Sequence, residues 1–174
     1  MNIGILGAGN IAATMATTLQ SLKNVTCYAV AAREKKRAQA FADKFGFQVA
    51  YGSYVDMLSD PNVHLVYIAT PHSHHYEHIK MCLKHGKHVL CEKAFTANAA
   101  QAEAVILEAR EKGLLLTEAI WTRYMPMRLT IDAIRQRDFP VVQGTVLVIS
   151  LLFVLVNLLV DISYKFLNKR IDLN

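Results

Sequence analysis

The sequence predicts an α/β chain: a doubly wound parallel sheet followed by a long apolar C-terminal helix. Three observations carry this reading. Short β-rich apolar runs alternate with helically spaced segments as far as Met127, the order that produces parallel strands joined by right-handed crossovers. A glycine turn, Gly7-Ala8-Gly9, links the first run to the first helical segment. Phe139 to Val160 contains no charged residue. With 174 residues the chain has room for one domain with a real core and too little for two.

Ile3, Ile5 and Leu6 open the first strand, and Gly7-Ala8-Gly9-Asn10-Ile11-Ala12 turns it into a helix with the spacing G-x-G-x-x-A. In a dinucleotide site each small residue has a mechanical role: Gly7 permits the tight turn, Gly9 lets the backbone approach a pyrophosphate, and Ala12 lets helix and strand pack closely. The pyrophosphate then meets unpaired amides at a helix N-terminus, so Gly7, Gly9, Asn10 and Ile11 are candidate cofactor contacts. The plainer reading is an ordinary tight turn.

Val25 to Ala32 reads as the second strand and ends on Arg33, with Lys36 and Arg37 close behind. A carboxylate at this strand end binds the ribose hydroxyls of NAD, whereas a guanidinium can pair with a 2′-phosphate. NADP is therefore expected in preference to NAD, with a solvated helix-entry charge as the alternative for Arg33. Glu34 to Phe45 is helical and stops at Gly46. Phe47 to Tyr51 is a short third strand, and Ser53 caps a helix over Tyr54 to Leu58.

Asp60-Pro61-Asn62 is a turn, and Val63 to Thr70 is an apolar run suited to a strand buried on both faces. It leads through Thr70-Pro71 into a histidine-rich loop and a helix from about His74 to His85, ending at Gly86. Lys87 to Cys91 is the fifth strand, followed by Glu92-Lys93. Asn98 caps a helix running to Lys112, and Leu114 to Ala119 is a sixth strand entering Trp121-Thr122-Arg123. Ligands of such sheets bind beyond the carboxyl ends of the strands. Gly7–Gly9, Arg33, Thr70–His75, Glu92-Lys93 and Trp121–Arg123 are accordingly expected on one rim. His74 and His78 have a chelating i, i+4 spacing, but no carboxylate or thiolate is suitably placed beside them, and a loop lining a cofactor accounts for them.

The formal charge of +5 is spread among acids, and no basic run with interleaved aromatics points to nucleic acid. Cys27, Cys82 and Cys91 lie in or beside apolar segments without C-x-x-C spacing and read as reduced, buried thiols. The N-terminus enters a strand directly, so no signal peptide is read and the sheet is expected in the cytoplasm.

The motifs GAGNIA, ATPHSHHYEHIKMCLKHGKHVLCEKAFTANAAQA and EAIWTRYMP, in that order, resemble the N-terminal half of a Gfo/Idh/MocA oxidoreductase of the dihydrodiol and sugar dehydrogenase-like group. The resemblance covers about Met1 to Met127. It implies a Rossmann-type domain over 1–127 and a pyridine-nucleotide dehydrogenase acting on a small carbohydrate, polyol or diol, with no metal. It also implies that Glu92 and Lys93 match a Glu-Lys-Pro motif beside the nicotinamide and substrate, although Ala94 stands where proline is usual. Thr70, Pro71 and His75 match the loop lining the cofactor, and Trp121 and Arg123 an aromatic-basic segment near the nicotinamide. Lys93 is the candidate catalytic residue, because a cation beside the reacting oxygen favours its deprotonated form.

Residues 128–174 depart from that pattern. Phe139 to Val160 is flanked by Arg135 and Arg137 before and by Lys165, Lys169 and Arg170 after. At about 1.5 Å per residue it can cross a hydrocarbon core of roughly 30 Å. A transmembrane helix is therefore expected, with membrane association through 139–160; the alternative is a buried hairpin turning near Gln143-Gly144. From about Leu129 this tail resembles the C-terminus of an oligopeptide or dipeptide transporter permease, which implies a truncated dehydrogenase joined to a permease fragment near Arg128. Three functions follow: an NADP-dependent dehydrogenase, a dinucleotide-binding module without turnover, and a membrane-anchored or permease fragment.

Overall fold

The computed structural model describes residues 1–121 and 126–167, with side chains over 1–121 and 131–163. These fall into two compact units, Met1–Ile120 and Trp121–Asn174. The first contains the strands β1 (Asn2–Leu6), β2 (Thr26–Ala31), β3 (Val49–Tyr51), β4 (Leu65–Ile68), β5 (His88–Cys91) and β6 (Leu116–Glu118). They alternate with helices α1 (Asn10–Gln20), α2 (Lys35–Phe45), α3 (Tyr54–Ser59), α4 (His75–Lys84) and α5 (Ala99–Glu111). The sheet order is β3-β2-β1-β4-β5-β6, every neighbouring pair parallel. This is the doubly wound sheet expected of the alternating pattern, with the chain's first strand in its interior.

Side chains alternate between the two faces of each strand, and both faces are covered. Leu6, Ala29, Ala31, Val66, Ile68, Val89 and Cys91 pack with Met57, Ile79, Leu83 and Val105 from α3, α4 and α5. Ile3, Ile5, Val30, Leu65 and Tyr67 point the other way, toward Ala12, Ala16, Ala38 and Phe41 of α1 and α2. Ala12 and Ala16 are fully buried, so their small side chains let α1 lie close against the sheet. Complete burial of Ile5 and Leu6 is worth roughly 1.5–3 kcal/mol each.

The helix boundaries follow local chemistry. Ser53 and Asn98 side chains accept the amides of Asp56 and Gln101, capping α3 and α5. Helix α2 ends where Gly46 takes a left-handed φ of 71°. Two features differ from the sequence reading. A 3₁₀ turn over His72–His74 precedes α4, so that helix begins at His75. The strands are shorter than the apolar runs that contain them: Val63 and Ala69 are buried but flank the ladder of β4. Apolar sequence marks what is covered, whereas the register pairs of β4 run only from Leu65 to Ile68, although the Ala69 amide still donates to Leu6 O at 2.9 Å.

The second unit contains α6 (Pro126–Arg135), which the sequence reading did not separate from the tail, and α7 (Phe139–Leu167). Helix α7 has the length and composition to cross a membrane over Phe139–Ser163, a 25-residue stretch in which no side chain is buried. The hairpin alternative is thereby set aside, because one continuous helix passes through Gln143-Gly144.

Candidate functional site: a cleft at the carboxyl ends of the strands

A cleft of about 520 Å³ opens at the carboxyl ends of β1, β2 and β4. Gly7, Ala8, Gly9, Asn10 and Ile11 form its floor; Ala32, Arg33, Arg37 and Tyr54 form one side, and Ala69, Thr70, Pro71, His74 and His78 the other. The floor follows from the glycine turn. Gly7 has φ 105°, and a Cβ there would stand 2.9 Å from the Ala69 carbonyl oxygen, so both conformation and space require glycine. Its amide donates to Ala31 O at 2.8 Å, tying the turn to β2. Gly9 caps α1 without a side-chain hydrogen bond, and a Cβ there would meet nothing within 4 Å. The first-turn amides of α1 have no intrahelical acceptor, and the space beside Gly9 is open.

The cleft is basic. Arg33 and Arg37 line it and no carboxylate does. Burial raises the Tyr54 phenol above its usual range, against the opposing pull of those two guanidinium groups. Across the cleft, the Thr70 hydroxyl and His78 Nδ1 are hydrogen-bonded at 2.8 Å. The His78 ring stands edge-on to Tyr54, with centroids 5.2 Å apart. Burial, helped by the neighbouring His74 and His75, pushes His78 down to about 4, so it is neutral at physiological pH. A phosphorylated dinucleotide suits this arrangement: open amides at a helix N-terminus for the pyrophosphate, and guanidinium groups for a further phosphate.

His75, Glu92 and Lys93 lie outside the cleft lining but at the ends of neighbouring strands. His75 is 1% exposed, with Nε2 2.9 Å from Thr70 O and Nδ1 2.7 Å from Ala94 O. It bridges the loops that follow β4 and β5. Glu92 is buried, its carboxylate accepting the Tyr67 hydroxyl on Oε1 and the Lys93 amide on Oε2, the latter at 3.2 Å. The Lys93 side chain is exposed, and the Lys93–Ala94 peptide is cis. Phe95 N donates to Glu118 Oε1 of β6 at 2.9 Å. Trp121 is exposed and belongs to the second unit, while Arg123 lies outside the described residues.

Sequence reasoning thus missed Tyr54 and Tyr67. Each sits in a segment whose pattern reads as helix or buried strand, and only the fold brings the Tyr54 ring to His78 and the Tyr67 hydroxyl to Glu92. Among the described residues no three His, Cys, Asp or Glu groups come together in a metal-binding arrangement. Burial raises the Cys82 and Cys91 thiols, Cys91 to about 12, which makes them poor nucleophiles.

Comparison with known proteins bears on this geometry. The model of an oxidoreductase family with an NAD-binding Rossmann fold, Gfo/Idh/MocA, matches residues 1–120. The chain is 44% identical to mouse trans-1,2-dihydrobenzene-1,2-diol dehydrogenase over 145 residues, 82% of this chain and 42% of that protein. It is 40% identical to the NADP-dependent D-xylose 1-dehydrogenase of Hypocrea jecorina over 140 residues, 74% of this chain and 36% of the relative. Its fold resembles a 3-ketoreductase from Actinomadura kijaniata solved with NADP, with TM-score 0.74 and 31% identity over 79% of this chain and 44% of that one. The chain spans about two-fifths of the length of the curated relatives it matches.

Proposed function

The chain belongs to the Gfo/Idh/MocA oxidoreductase family, with its NAD-binding Rossmann fold, and on that premise we propose that it binds NADP in the cleft above β1 and β2. The observation that carries the choice of NADP is the side of the cleft at the end of β2, where Arg33 and Arg37 stand and no acid lines the space. A carboxylate there would repel a 2′-phosphate, whereas a guanidinium can bond to it in bidentate fashion. The amides at the start of α1 hold the pyrophosphate; Thr70 and Pro71 line the opposite wall.

The reaction class proposed is hydride transfer to or from a sugar, polyol or diol, the bound dinucleotide supplying the hydride acceptor or donor. Lys93 would orient the substrate oxygen and favour its deprotonated form, while a base takes the hydroxyl proton. The domain proposed for this work is 1–127; the roles of Trp121 and Arg123 in it rest on the family resemblance alone. Because the chain spans about two-fifths of its dehydrogenase relatives, the activity proposed for these residues alone is cofactor binding with little or no turnover.

Titration of the full chain with NADPH and NADH, read by nicotinamide fluorescence, tests this. NADPH should bind about 10- to 100-fold more tightly, the worth of charge-assisted hydrogen bonds. Arg33→Ala should remove most of that preference. Equal affinity for the two cofactors, or none for either, defeats the reading.

A second reading concerns 128–174. The continuous exposed helix α7 favours insertion in a membrane, and the likeness of this tail to a transporter permease C-terminus supports a membrane-anchored chain joined from two parents. Sequencing across the source locus tests the joining: an uninterrupted dehydrogenase frame there would rule it out.

A further inference from the structure

The short segment after β5 is held at more points than a surface loop needs. Glu92 extends the sheet ladder, its amide donating to Ile68 O at 3.1 Å. Its carboxylate spans Tyr67 of β4 and the Lys93 amide. Two residues on, Ala94 O faces His75 at the start of α4, and Phe95 N bonds to Glu118 of β6. In the middle of this framework the Lys93 side chain is exposed and free to project from it.

The Tyr67–Glu92 pair is expensive to build. Glu92 is only 9% exposed and Tyr67 only 1%. The Glu92 carboxylate is held by the Tyr67 hydroxyl and the Lys93 amide, and among the described residues no cation is paired with it. Burying a carboxylate in this way opposes folding, and an apolar pair of similar volume would fill the space at lower cost. What a fully satisfied buried polar pair supplies is a single defined geometry. Here it fixes the backbone from which Lys93 projects.

We infer that Tyr67 is a positioning residue for Lys93, acting through Glu92: the phenol fixes one carboxylate oxygen, and the other holds the Lys93 amide. This rests on the dinucleotide reading above, with Lys93 beside both nicotinamide and substrate oxygen as the family resemblance implies. The phenol does not touch the cofactor; its effect is confined to what Lys93 touches.

The test compares two ligands on the full chain: NADPH, and 2′-phospho-ADP-ribose, which lacks the nicotinamide. Tyr67→Phe keeps the ring and removes the hydroxyl. It should weaken NADPH about three- to tenfold, the worth of one hydrogen bond, and leave 2′-phospho-ADP-ribose unchanged. Lys93→Ala should behave likewise, and the double variant should bind no more weakly than Lys93→Ala alone. If Tyr67→Phe fails to fold, Glu92→Gln carries the same comparison, since its amide cannot accept both donors. Equal weakening of both ligands, no weakening of either, or additive losses in the double variant overturns the inference. Wild-type protein that binds neither ligand removes the dinucleotide reading, and this inference with it.

Discussion

Gly7 and Gly9 sit two residues apart and answer to different constraints. At Gly7 the backbone is left-handed and a methyl group would press on Ala69 O; at Gly9 the same methyl would point into open cleft. Gly7→Ala should therefore destabilise the fold by about 1–3 kcal/mol, seen as a lowered midpoint in urea unfolding. Gly9→Ala should leave that midpoint in place and weaken NADPH binding, because the added methyl occupies the space in which a pyrophosphate would meet the backbone. His78 offers a pH-dependent counterpart. Its native titration point is pushed down to about 4 by burial and by His74 and His75, against about 6.5 in an unfolded chain. The unfolded state thus binds more protons between these values, so this contribution is complete above about pH 6.5 and is lost as the pH falls toward 4. His78→Gln should flatten the fall in melting temperature over that window, and an imidazole resonance titrating near 6.5 in the native protein would contradict the assignment. The glycine spacing was legible in the sequence because it is local. The contacts of the Tyr54 ring with His78 and of the Tyr67 hydroxyl with Glu92 were not, since each depends on residues distant in the chain.

At the scale of elements, the six strands and five helices of the sheet could be read from alternation and stop signals, because caps such as Ser53, Asn98 and Gly46 act within a turn of where they stand. Strand ends were less legible: Val63 and Ala69 are as apolar as the paired residues, and only a neighbour's register excludes them. Helix α6 was not separated from the helical tail read over 128–174, although Pro126 at its first position is a start signal. The turn between α3 and β4 shows how a polar residue can organise an element boundary. Lys87 is buried, and its ammonium donates to Asp60 O at 2.7 Å and Val63 O at 2.8 Å. The Asp60 carboxylate meanwhile accepts hydroxyls from Tyr28 and Tyr51. Burial lowers the Lys87 ammonium from its usual range, and the attraction of Asp60 partly offsets this. Lys87→Met keeps the aliphatic stem and strips two carbonyl oxygens of their donor, so it should destabilise the chain by about 1–3 kcal/mol in equilibrium urea unfolding. An unchanged midpoint would mean that water replaces the ammonium at no cost.

Across the whole molecule, two units with different demands on solvent share one chain. The first buries its apolar residues within its own sheet and helices, whereas α7 leaves Leu147, Leu151, Phe153 and Leu159 exposed. If a bilayer receives α7, the full chain should resist carbonate extraction and enter detergent. Leu151→Arg combined with Leu155→Arg should shift it to the supernatant, because each charge at the helix centre opposes insertion by about 2.5–3.5 kcal/mol or more. Equal extraction of both proteins would show that the helix is covered in some other way. The sheet order has a further consequence, for the timing of synthesis. Strand β1 pairs with β2 on one edge and with β4 on the other, so a growing chain can assemble β1, β2 and β3 while the second edge of β1 stays bare until Leu65 leaves the ribosome. An unpaired interior edge is an invitation to foreign strands. The nascent Rossmann sheet is thus most vulnerable to aggregation midway through its translation, and chaperone occupancy on the ribosome should peak there and fall once β4 has docked.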